Sequence, residues 1–520
     1  MRLTSNELKQ HLQTEFASGR YDSRLAKHYF IQLIKEKRLV IETTRGFYVY
    51  LPDENRYMFL HNSVKKLHIW LKERLVEISD EAEDLVSQPE IVKLFQEIRI
   101  SPYLQGEESE FDSHPDLINT KAGVLKLNTN GTITLLAYDE CDALFTVCVA
   151  AEYIPKEKRE LTAFHKFADY SFSPEMREES ILLLKQALGH MYSNKRNKKF
   201  LFYCVGSASC GKSLLQTLFQ NSVGGEKAIE EGIITRQSLH QLNATAGTIK
   251  AVSQSSWLIS GETSKAPLKN TDIIRSLTSH EGVQETIAGK SSSYISKAHF
   301  WIAGNWSSLE AFNNTDVDAL KSRIVPLVFE KQTPEGVEHE SLLQELSNEI
   351  DSIFSEAIDA LVQLLQNSYQ FSIPKLTEKK IKDGWLANNT FLWFLEVHCV
   401  KDENAYMLFD ELYEAYQEHV LAFGKKLLDY KDCKKLFYNR TTQIRAKQPN
   451  GSRNRARKGY RLLTQLEQEM DYTSIEHLDS RIDTLREKNR RDNLTLQGKR
   501  LYPLVEYLLS DCSVETYKNL

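Results

Sequence analysis

The stretch that most limits what this chain can fold into is Gly206-Ser207-Ala208-Ser209-Cys210-Gly211-Lys212-Ser213. It follows an unbroken apolar run, Phe200 to Val205, the pattern of a buried parallel strand. Leu214, Leu215, Leu218 and Phe219 then recur at helical spacing, so the loop joins a strand to a helix. Gly206 and Gly211 let the backbone curl until its N–H groups face one point, where the helix dipole is also aimed, and both suit phosphate oxygens. Lys212 is placed to reach the β- and γ-phosphates, and the Ser213 hydroxyl to hold Mg²⁺. The expected ATP cradle therefore runs through Gly206, Ser207, Ala208, Ser209, Cys210, Gly211, Lys212, Ser213 and Leu214, with Cys210 contributing backbone alone.

Hydrolysis needs more than a cradle: a carboxylate to polarise water, a polar group to sense the γ-phosphate, and positive charge on the transition state. Trp257-Leu-Ile-Ser-Gly-Glu262 is an apolar strand ending in Glu262, 50 residues after Lys212. His299-Phe-Trp-Ile-Ala-Gly-Asn305 is another, ending in Asn305 after a further 43, and Arg323 follows 18 later. In a parallel sheet the strand C-termini share one edge, where ligands bind, so Glu262 and Asn305 are expected to converge on Lys212. Each alone also fits a bland reading, a solvated turn or a surface arginine. Their order behind the phosphate loop favours the catalytic one.

The 520 residues suggest three or four domains. No apolar run is long enough to span a membrane, and MRLTSNELKQHLQTEF lacks the apolar core of a signal peptide. Seven scattered cysteines without a CxxC pair argue for a reducing compartment and against a zinc site or disulfide frame. The net charge of −5 conceals a patch from Lys431 to Arg461, where eleven Lys or Arg stand against one Asp. That is the footprint of a polyanion-binding surface, the alternative being a solvated loop.

Along the chain, a basic amphipathic helix (Arg24 to Arg38) precedes an expected hairpin, LVIETTRGFYVYLPDENRYMFL. Short strands are expected around GVLKLNTNGTITLL, turning at Asn130-Gly131, and helices over 158–195. From about 200 to 330 apolar strands alternate with helices, as in a parallel sheet with covering helices. Residues 340–368 read as helical, and SIPK at 372–375 as a linker. FLWFLEVHC, LFDELYEAYQEHVLAF and YKDCKKLFYN make three further helices, and TTQIRAK and GYRLL flank a basic loop. Three helices and a basic two-stranded wing describe a winged helix.

With these motifs in order, residues 115–462 resemble the superfamily 3 helicases, in particular the helicase half of phage, plasmid and poxvirus primase–helicases. The resemblance implies an α/β fold with an AAA+ P-loop ATPase core. Around it the expected division is a mixed N-terminal region (1–115), a helical collar domain (116–195), the core (196–335), a lid and linker (336–375), a winged helix (376–462) and a helical tail (463–520). Gly206, Gly211, Lys212 and Ser213 match the phosphate loop, Glu262 the acidic strand and second Mg²⁺ ligand, Asn305 the sensor, and Arg323 the arginine finger. Lys290, in IIRSLTSHEGVQETIAGKSSSYI, takes the place of the DNA-contacting lysine of a pre-sensor hairpin. The implied function is a hexameric, ATP-dependent replicative helicase of a mobile element, moving on single-stranded DNA and working with a separate primase or initiator. Duplex contacts fall to Lys434, Lys435, Arg445, Lys447, Arg453, Arg455, Arg457 and Lys458.

This chain departs from the family in three places. One acid, Glu262, stands where two adjacent acids are common; Ser279-His280-Glu281 replaces Gly-Gly-Asp before the hairpin; and residues 1–115 carry no paired-acid primase motif. An origin-binding initiator that melts DNA without processive unwinding is the alternative. A small-molecule P-loop kinase would need neither the Asn305/Arg323 pair nor the basic wing.

Overall fold

The computed structural model describes residues 4–463, apart from 61–62, 196–198, 244–246, 265, 267, 269–270, 288, 313–317, 335, 388, 423–426, 439 and 448–452. The expected helical tail lies, from 464 onward, outside the described residues. The chain forms two compact units, Met1–Ala311 with Asp316–Ile381, and Phe312–Thr315 with Lys382–Leu520. The SIPK segment therefore belongs to the first unit, and residues 375–387 are helical.

The first unit is built on a five-stranded sheet: β1 (Leu201–Gly206), β2 (Ile234–Arg236), β3 (Trp257–Ser260), β4 (His299–Gly304) and β5 (Ile324–Phe329). All neighbours are parallel, in the order β5-β1-β4-β3-β2. β1, β4 and β5 are buried at every residue, which is why they read as continuous apolar runs without alternation. Phe329 pairs with Gly206, Gly304 with Val205 and Ser260 with Ile302, so the strand C-termini form a single edge.

Helices α1 (Arg177–Tyr192), α2 (Lys212–Ser222), α3 (Thr271–Thr278) and α4 (Ile350–Gln366) accompany this sheet. α1 and α4 cross so closely at Gly189 that a Cβ there would lie 2.2 Å from the Ala357 carbonyl oxygen. One apolar cluster takes in Phe164, Leu184, Phe202, Phe219, Trp301 and Phe354, so the 158–195 and 340–368 helices share a core with the sheet. α4 is held further by Arg159, whose Nη1 reaches Glu356 at 2.8 Å and Asp359 at 2.7 Å, and by Lys185 on Glu356 at 2.7 Å. Between α3 and β4 a hairpin of Gly282–Ile287 and Lys290–Ile295 closes on the pair Ile287–Lys290.

The N-terminal part packs helices Ser5–Ala17, Ser23–Lys37, Val64–Val76 and Gln88–Arg99 around their own apolar cluster. The single hairpin expected there is a three-stranded meander, Val40–Glu42, Phe47–Leu51 and Arg56–Phe59. The second turn forms at Pro52-Asp53-Glu54-Asn55, with Asn55 left-handed at φ 48°. Strands Gly123–Leu127 and Ile133–Leu136 turn through Asn130-Gly131 as expected.

The second unit contains helices Thr390–His398, Phe409–Ala422 and Tyr430–Tyr438 and an antiparallel sheet ordered Cys399–Met407, Arg453–Leu462, Thr442–Lys447. The three helices and the strand Thr442–Lys447 match the sequence reading, but the basic loop expected over 448–458 is strand from Arg453 onward, because Arg453–Lys458 pair with Thr442–Lys447. The strand Cys399–Met407 was not foreseen, because VKDENAYM is polar, lacks alternation and carries a bulge between Asp402 and Tyr406.

Candidate nucleotide site

The phosphate loop leaves β1 at Gly206 and enters α2 at Lys212. At Gly206 a Cβ would sit 2.0 Å from the Phe329 carbonyl oxygen of β5, so only glycine fits between the strands. Gly211 has φ +91°, and a Cβ there would meet Phe167 Cε2 at 2.6 Å and Ser171 Oγ at 2.9 Å. Ser207, Ala208, Ser209 and Ser213 are exposed, while Cys210, Lys212 and Leu214 are buried.

Lys212 Nζ donates to the Gly206 carbonyl at 2.9 Å, the Ser207 carbonyl at 2.5 Å and Cys210 Sγ at 3.2 Å. Cys210 in turn donates its thiol to the Ser207 carbonyl at 3.0 Å. The Cys210 side chain is therefore part of the loop's own bonding.

The edge expected to hold Glu262 and Asn305 does bring them together: Asn305 Nδ2 donates to Glu262 Oε1 at 3.4 Å. Neighbours missed by sequence reasoning set this geometry. Gln216 Nε2 on α2 donates to the Ser260 carbonyl at 2.9 Å, tying the loop helix to the end of β3. Thr263 Oγ1 bonds the Ala303 carbonyl at 3.1 Å, tying that end to β4. Ser308 Oγ donates to the Asn305 carbonyl and meets the Tyr203 hydroxyl. These are ordinary polar residues on apolar strands or beside them, and no spacing marks them in advance.

Arg323 lies elsewhere. Its carbonyl accepts the Leu201 N–H at 2.8 Å, at the start of β1. Six residues of strand, roughly 17 Å, separate that point from the phosphate loop of the same chain. Its Nη1 donates to Thr278 Oγ1 at 2.8 Å and to the Arg275 carbonyl, both at the end of α3. Burial, then the neighbouring Arg275 charge, lowers the Arg323 pKa, with Glu281 opposing.

Lys290 opens the second hairpin strand next to Gly289 (φ +79°), and its side chain lies outside the described residues. In the second unit Lys435 is exposed and Lys458 half-buried. The Lys434 ammonium sits 5.0 Å from the Tyr430 ring centroid and 5.6 Å from that of Tyr438. Arg457 is buried: it stacks 4.4 Å from the Tyr438 ring centroid, and its Nε donates to Thr441 Oγ1 at 2.8 Å. Its Nη2 donates to the Tyr438 and Thr441 carbonyls, so the guanidinium is turned inward, away from the surface where DNA contacts were expected. The strand register sets Arg445 opposite Arg455 and Lys447 opposite Arg453, positions whose side chains lie outside the described residues.

Residues 22–173 match the family described as "D5 N terminal like", a segment that straddles residue 115 and ends two residues past the helix Thr162–Ser171. The matched segment is 152 of the chain's 520 residues, less than a third of it. No curated protein matches the chain. Among solved structures, the chain is similar to an apo structure of the NrS-1 C-terminal region, at 11% identity over 81% of this chain and 96% of that one, with a TM-score of 0.42. A second apo structure of that region gives 10% identity, 81% and 95% coverage and 0.43. JCV helicase gives 11%, 46% and 65%, with 0.21. These scores are low, and the fold rests on the chain's own sheet. Among the described residues, no helix is long and apolar enough to cross a membrane.

Proposed function

We propose that the chain is an ATP-dependent DNA helicase of the superfamily 3, AAA+ type, working as a hexameric ring on single-stranded DNA. The observation that carries this reading is a division of the ATPase groups between two edges of one sheet. Lys212, Glu262 and Asn305 gather at the C-terminal edge, and Arg323 stands at the other, out of reach of its own phosphate loop. An arginine so placed serves hydrolysis only in a neighbouring subunit's site, which calls for a closed assembly.

In that assembly Lys212 exchanges its loop carbonyls for phosphate oxygens, Glu262 accepts a proton from the attacking water, and Asn305 orients the carboxylate it already touches. Ser213 and Glu262 offer the hard oxygen donors suited to Mg²⁺, which would offset phosphate charge there. The hairpin bearing Lys290 would grip the DNA backbone in the ring, a salt-sensitive and sequence-independent contact. The second unit, read as a winged helix, would hold duplex DNA through Lys434, Lys435, Arg445, Lys447, Arg453, Arg455 and Lys458.

The deciding experiment measures ATP hydrolysis with and without single-stranded DNA, for wild type and Lys212→Ala, together with the mass of the assembly. DNA-stimulated hydrolysis by a six-subunit species, lost in the variant, is expected. Hydrolysis by a monomer indifferent to DNA would sink the proposal.

A further inference from the structure

We propose that Glu285 is a positioning residue that couples the hairpin to the hydrolytic strand through the short helix Thr248–Gln254, an inference that rests on the helicase reading above. Glu285 lies on the first hairpin strand, where Val283 and Glu285 are buried while Gln284 and Thr286 are exposed, the period of two that a half-buried strand demands. An apolar side chain at the inward position would suffice to pack the hairpin. Instead a carboxylate, 8% exposed, points at the start of the helix. Its Oε1 accepts the Gly247 N–H at 2.7 Å and its Oε2 the Lys250 N–H at 3.0 Å. These belong to the N–H groups that no helical carbonyl satisfies, and the carboxylate also meets the positive end of the helix dipole.

The opposite end of this helix is held by a different module. Arg45, in the N-terminal meander's first turn, donates from Nη2 to the Ser253 carbonyl at 3.0 Å, and its Nη1 pairs with Glu108 at 3.0 Å. A short helix is thus clamped by an anion at its N-terminus and a cation near its C-terminus, each matched to the dipole there. From Gln254 the chain passes through buried Ser255 and Ser256 directly into β3, which delivers Glu262 to the site. The hairpin that would carry DNA and the carboxylate that would activate water are therefore joined by one short rigid path. A shift of the hairpin pulls on the helix through two charge-assisted hydrogen bonds while Arg45 holds its far end.

The test uses the full chain and compares wild type with Glu285→Ala and Glu285→Gln. Each is assayed for ATP hydrolysis without DNA, hydrolysis with single-stranded DNA, strand displacement and thermal unfolding. Glu285→Ala is expected to keep DNA-independent hydrolysis within about twofold while losing roughly tenfold or more of the DNA stimulation, the size of ordinary site-to-site coupling. Glu285→Gln, which retains one acceptor, should fall between. Normal stimulation in Glu285→Ala overturns the proposal. So does a parallel fall of both hydrolysis rates together with the melting temperature, which is what a scaffold residue gives. If wild-type hydrolysis is itself indifferent to DNA, the helicase reading falls, and this proposal falls with it.

Discussion

Gly211 shows how much a single backbone angle decides in this site. A methyl group there meets both Phe167 and Ser171 at less than 3 Å, at a φ that L-residues adopt only under strain. Gly211→Ala is therefore expected to cost about 1–3 kcal/mol and to abolish ATP binding, measured by thermal unfolding and nucleotide titration. Arg457 illustrates the opposite case, a residue whose surroundings no sequence pattern announced. It stands in the run Arg453-Asn-Arg-Ala-Arg457, where every arginine reads alike as a phosphate contact. The fold turns Arg457 onto Tyr438 and two carbonyls. Arg457→Ala should destabilise the second unit by roughly 1–3 kcal/mol, and Arg457→Lys should not rescue it, because the stacking and the forked donors are lost. Full stability with weakened duplex binding would show the residue faces DNA after all. Lys435→Glu combined with Lys458→Glu should instead leave melting unchanged and lower the salt slope of duplex binding by about two.

Elements were legible where physics acts locally. The phosphate loop, the three apolar strands β1, β4 and β5 and the helices 409–422 and 430–438 follow from patterns that neighbouring residues impose on each other. The strand Cys399–Met407 was hidden, since what makes it a strand is pairing with Arg453–Leu462, fifty or more residues away. Glu262 and Asn305 could be named because strand ends align. Gln216, Thr263 and Ser308, which fix them, could not, since a hydrogen bond to a distant carbonyl leaves no trace in spacing. The charge clamp on α4 was likewise invisible. Burial raises the Glu356 pKa, but hydrogen bonds from Lys185 and Arg159 outweigh it and leave the pKa lowered. A depressed carboxylate pKa contributes stability above its ordinary value of 4.5, and that contribution is lost as pH falls through the lowered one. Wild type should therefore lose stability on acidification below that value more steeply than Glu356→Gln, as followed by thermal melts across pH.

At the scale of the whole molecule, Arg323 and Lys212 stand at opposite edges of one sheet, so in the proposed ring two defects can cancel. Protomers of Lys212→Ala and Arg323→Ala, each inactive alone, should regain about a quarter of wild-type hydrolysis when mixed equally, because that share of random interfaces joins an intact lysine to an intact arginine. No recovery on mixing would place both groups in one subunit's site. The strand order carries a further consequence, for synthesis. β1 is flanked by β4 and β5, which are made about a hundred residues after it. A ribosome that has released the phosphate loop has released a central strand with both edges bare, and contacts so far apart in sequence close slowly. Fragments ending before Phe329 should aggregate, while those continuing through Gln366, which adds the helix crossing at Gly189, should be soluble. Until β5 emerges, the nascent sheet is expected to depend on chaperones.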